Sequence, residues 1–124
     1  MEEENKSFFK EAIKKGIEAC KRLENNEAFV MYHLEQAKEA FCEFFEHEFS
    51  ISRKRDNNLS IKLIVKLRNT NEKHVIIRVL FNEDSIDSFH SDFKQSQYNS
   101  DREGLVDYIN CVLKDNNKMY WILG

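Results

Sequence analysis

Two periodicities meet near residue 49. Over residues 5–48 apolar side chains recur at spacings of three and four, the repeat of one helix face. From Phe49 onward they recur at every second position, the repeat of one sheet face. A chain that holds each period for so long and switches between them is expected to pack helices against an antiparallel sheet.

In the helical part, Phe8, Phe9, Ala12, Ile13, Gly16, Ile17, Cys20 and Leu23 form one stripe, with Lys and Glu between them. The stripe predicts a core-facing helix over residues 5–24. Asn25 and Asn26 interrupt it, and such residues end one helix and cap the next. A second helix is predicted to run to about Glu48, with Phe29, Val30, His33, Leu34, Ala37, Phe41, Phe44 and Phe45 inward. So short a break implies an antiparallel or steeply crossed pair.

In the strand part, Phe49 and Ile51 alternate with Ser50 and Ser52 and lead into Arg53-Lys54-Arg55; Asp56-Asn57-Asn58 has turn chemistry. The second strand sends Ile61, Leu63, Val65 and Leu67 to one face and Lys62, Ile64, Lys66 and Arg68 to the other. The third sends Val75, Ile77, Val79 and Phe81 inward and Ile76, Arg78 and Leu80 outward, so a three-stranded meander is expected. Ile86, Phe89 and Phe93, spaced by three and four, predict a short helix. Ser100 and Glu103 form a capping box ahead of Leu105, Val106, Ile109, Val112 and Leu113, and residues 119–123 read as a last strand. The expected fold class is α+β: one domain over residues 1–124, two layers, order α-α-β-β-β-(short α)-α-β, helices on one sheet face and the other face wet.

From residue 27 to 114 the order helix, three strands, helix resembles that of double-stranded-RNA-binding domains. The basic cluster with which those domains open their last helix is replaced here by Asp101-Arg102-Glu103-Gly104. Likeness of element order does not carry function with it.

Composition narrows the class. The chain has 124 residues, 41% of them hydrophobic and ten of them Phe, enough for a core without metal or disulfide staples. With no Pro and three Gly, linker-joined and loop-rich architectures are disfavoured. Cys20, Cys42 and Cys111 are odd in number, far apart and set in helical apolar patterns, so they are expected to be reduced, buried thiols. The acidic start MEEENKSFFKE lacks the basic-then-apolar pattern of a secretory leader, and no apolar run nears the roughly 20 residues that span a bilayer. A cytoplasmic protein with no membrane association is expected.

Charge is distributed unevenly. Residues 1–52 carry twelve acids and seven bases and residues 79–124 eight acids and four bases, whereas residues 53–78 carry eight bases and two acids. The positive charge falls in the meander: Arg53, Lys54, Arg55, Lys62, Lys66, Arg68, Lys73 and Arg78. Strand alternation gathers Lys62, Lys66 and Arg78 on one face beside Ile64, Ile76 and Leu80. Such cations protect a sheet and its edges from pairing with other chains, or they attract an anionic partner. A basic and aliphatic strip without outward aromatics suits an acidic protein surface better than bases that need stacking platforms. The leading expectation is therefore a small non-catalytic binding or inhibitor-type module docking a macromolecule through Arg53, Lys54, Arg55, Lys62, Ile64, Lys66, Arg68, Ile76 and Arg78. The alternative is a nucleic-acid or nucleotide binder on the same face. Self-association, basic sheet to acidic helices, is a third use.

Local chemistry is sparse. Asp84, Asp87, His90 and Asp92 form the one compact carboxylate–histidine cluster, which admits a hard cation or a general base and so a small enzyme as second alternative. His33 reads as a core or boundary residue, His47 as an ion-pair partner of Glu43 and His74 as solvent-facing. Glycines at 16, 104 and 124 alone allow no phosphate-cradling loop, and no nucleophile elbow or His-Glu-x-x-His is present. No cofactor and no catalytic residue is expected.

Overall fold

The computed structural model describes residues 2–56, 59–68, 70–90 and 101–114. Helix α1 spans Glu2–Phe44, strands β1 to β4 span Glu48–Arg55, Leu59–Lys66, Lys73–Phe81 and Ile86–His90, and helix α2 spans Arg102–Leu113. The fold is mixed α+β. All three strand pairings are antiparallel, in the order β1-β2-β3-β4.

The predicted helix pair is one helix of 43 residues. No Gly or Pro stands near residue 25, and Asn costs a helix interior only a fraction of a kilocalorie, about 0.7 kcal/mol at most. Asn26 does not cap. Its Nδ2 donates to the Asn82 carbonyl at 2.9 Å, and its Oδ1 accepts from Arg102 at 3.3 Å, tying α1 to the β3–β4 turn and to α2.

The two halves of α1 have different surroundings. Val30, Leu34, Ala37 and Phe41, spaced 4-3-4, are between 0 and 3% exposed and join the sheet core. Towards the N-terminus the same face emerges into solvent. Every side chain from residue 2 to 22 except Ala19 is exposed, so the stripe expected in the core is uncovered: Phe8 72%, Phe9 61%, Ile13 62% and Ile17 51% exposed. Phe44, also expected inward, ends the helix at 80%. Cys20 and Cys42 are exposed rather than buried, and Cys111 is half-buried.

Strand β2 pairs on both sides and alternates as expected, with Ile61, Leu63 and Val65 fully buried. The β2–β3 turn is closed by Asn71, at φ 58°, a left-handed conformation that Asn tolerates. Strand β3 departs from strict alternation. Leu63 pairs with Ile77 but Ile64 pairs with Val75, so Ile76 is an extra, bulged residue. The bulge turns Ile76 inward beside Ile77, both 0% exposed, and moves Val75 to the outer face opposite Ile64.

Residues 86–90 form a strand, not the expected short helix. A second register shift pairs Phe81 with Ile86 and Leu80 with Ser88, leaving Asp87 as the extra residue. Ile86 and Phe89, three apart, thereby meet Phe81 and Val79, two apart. An inserted residue had imitated a helical spacing. Strand β4 also separates this element order from that of the RNA-binding domains.

Helix α2 begins one residue later than the capping box implies. Asp101 is its N-cap, accepting from the Gly104 amide at 2.6 Å. Leu105, Tyr108, Ile109 and Val112 complete a core shared with α1 and the sheet. The proposed last strand at residues 119–123 lies outside the described residues.

Candidate functional site

The basic residues divide between two faces. Paired residues on adjacent strands share a face, and Arg53 stands opposite buried Ile61 while Arg55 stands opposite Leu59, next to Phe81. Both arginines therefore lean to the helix side. There they share one carboxylate: Arg53 and Arg55 donate to Glu27 Oε1 at 2.6 and 2.7 Å. Arg68, beyond the end of β2, donates to Glu46 at 2.6 Å. These three cations, expected on the outer face, are engaged at the helix side or in the turn, Arg53 and Arg55 sharing the one carboxylate of Glu27.

The outer face retains Lys54, Lys62, Lys66 and Arg78. Lys54 has Asp56 at 3.2 Å, and Lys66 faces Glu48 across the strand at 3.9 Å. Lys62 and Arg78 stand directly opposite one another. Among the described side chains no carboxylate pairs with either, and Arg78 Nε is buried without a hydrogen-bond partner. Ile64, Val75 and Leu80 surround them, half-buried, and Ser60 between Lys54 and Leu80 is only 2% exposed. Val75, which the sequence pattern had assigned to the core, takes the place on this face expected of Ile76. What results is a compact strip, aliphatic around two adjacent cations.

Of the other candidates, the carboxylate–histidine cluster lies only in part within the described residues. In the β3–β4 turn Asn82 Oδ1 accepts from the amides of Asp84 and Ser85, both at 2.8 Å, so this acidic stretch is built as a side-chain-stabilised turn. Asp87 and His90 are in β4, and Asp92 lies outside the described residues. Among the described residues no group of three or more His, Cys, Asp or Glu is placed to hold a metal ion. His33 packs against Phe29 and Tyr32, with ring centroids 4.5 and 5.2 Å apart, and burial lowers its pKa. His47 lies past the end of α1 rather than in it, stacked on Phe45. His74 is half-buried, 3.3 Å from Glu72. Among the described residues no helix is long and apolar enough to cross a membrane.

Comparison with protein-family models, with curated proteins and with solved structures finds no match.

Proposed function

We propose that this chain is a small non-catalytic binding module that docks an acidic macromolecular surface, a protein foremost, through the outer face of its sheet. Lys62 and Arg78 carry this reading. Like charges directly opposite each other on a sheet are destabilising, and here they sit side by side with no described carboxylate between them, ringed by Ile64, Val75 and Leu80. Such an arrangement is suited to a partner that brings its own carboxylate and covers the aliphatic rim. Arg53, Arg55 and Arg68 are engaged internally and fall outside the docking surface, as does buried Ile76.

The test is affinity capture from the native host with the wild-type chain and with Lys62→Glu/Arg78→Glu. The reading expects a protein partner that the reversed chain no longer retains. Capture that survives the reversal contradicts it. So does a dominant affinity for RNA or DNA that collapses between low and high salt, the mark of phosphate binding by counterion release.

A further inference from the structure

The exposed half of α1 continues the spacing of the buried half. Phe9, Ile13, Gly16, Cys20 and Leu23 step by 4-3-4-3, and Val30, Leu34, Ala37 and Phe41 step by 4-3-4 in phase with them. Glu27, held by Arg53 and Arg55, marks the point where the seam leaves the sheet. At about 1.5 Å per residue, residues 2–24 extend the seam roughly 33 Å beyond it. A helix in water draws most of its stability from tertiary packing of its apolar face. Among the described residues nothing buries this face from Phe9 to Cys20, and Phe8, Phe9, Ile13 and Ile17 are all more than half exposed.

Gly16 adds an independent observation. Glycine inside a helix costs about 1 kcal/mol relative to alanine, and a side chain added here would meet nothing within 4 Å. Among the described residues no contact calls for glycine at this position. A close helix partner does.

We infer that the exposed half of α1 pairs antiparallel with the same segment of a second copy of the chain. The 3.5-residue spacing is that of a two-helix seam. An antiparallel register that sets Phe9 against Cys20 of the second copy sets Ile13 against its Gly16, a branched side chain over the one position that leaves room for it. On the flank, Lys6 then comes beside Glu24 of the second copy, once at each end by symmetry. The same register uses the full overhang. The first turn, Glu2, Glu3 and Glu4, reaches the base of the other copy's overhang, where Arg53 and Arg55 share a single carboxylate and Arg102 lies close by on Asn26. Surplus positive charge there meets three acids. A parallel pair would instead bring six acids together and leave those arginines unanswered. The contact is isologous and closes on itself, so it stops at two copies.

Sedimentation equilibrium on the full chain tests this. The wild type is expected to be a dimer, and Ile13→Glu a monomer whose sheet melts as before. Gly16→Leu has open space in the single chain, so it leaves the fold intact and weakens the dimer at least tenfold. Lys6→Glu weakens it, and adding Glu24→Lys restores it, a rescue specific to the antiparallel register. A wild type that is monomeric at its highest soluble concentration overturns the inference. So does a dimer indifferent to Ile13→Glu and Gly16→Leu, or a monomer whose exposed stripe binds anionic phospholipid vesicles.

Discussion

Lys62 of β2 stands directly across from Arg78 of β3, cation to cation, with no described carboxylate pairing with either. Converting one of them to an acid turns a repulsive cross-strand pair into an attractive one, a change of about 0.2–1 kcal/mol. Lys62→Glu is therefore expected to raise the melting temperature slightly while abolishing partner capture. Thermal denaturation of the two chains side by side measures it, and a clear loss of stability would show that Lys62 is structural.

Ile76 behaves as core. Truncating a fully buried isoleucine costs about 2–5 kcal/mol, so Ile76→Ala should lower the unfolding midpoint sharply in urea. Ile64→Ala, on the outer face, should cost well under half as much. Equal and small effects at both positions would place Ile76 on the surface.

Glu27 anchors two arginines to α1. Its side chain is 16% exposed, whereas those of Arg53 and Arg55 are 50 and 62% exposed, so solvent screens much of the gain. Glu27→Gln is expected to cost on the order of 1 kcal/mol, and added salt should narrow the gap from wild type. An unchanged melting temperature at low salt would mean that the two bonds contribute nothing net.

His33 sets an acid-side stability slope. Burial depresses its folded pKa below the ordinary value, so the unfolded chain binds the proton more readily. The stabilisation is complete above the unfolded pKa, near 6.5, and is lost as the pH falls through the folded one. Melting temperatures between about pH 7.5 and 5 should decline more steeply for the wild type than for His33→Gln. Matching slopes would assign the decline to other groups.

Strand β2 was legible in the sequence because both of its neighbours are strands and every second residue faces one core. Strand β3 was misread at one point: a single bulged residue swaps Val75 and Ile76 between faces, and alternation carries no mark of an insertion. The bulge at Asp87 did more, giving a strand a helix-like spacing. Arg53 and Arg55 were misplaced although the signal was present, since they continue the inward parity of Phe49 and Ile51. At Asn25-Asn26 local capping chemistry lost to tertiary hydrogen bonds made by Asn26 with residues 56 and 76 positions away. The stripe of residues 5–24 is helical, as its period predicts, but lies outside the core. Periodicity reveals an apolar face but not what covers it.

The docking surface is tested most directly by NMR titration of the isotope-labelled chain with a short polyglutamate peptide. Shift changes centred on Lys62, Ile64, Arg78 and Leu80, with Arg53, Arg55 and Arg68 silent, are the expected result. Changes spread evenly over all exposed lysines and arginines, or concentrated at the Arg53–Arg55 edge, would contradict it.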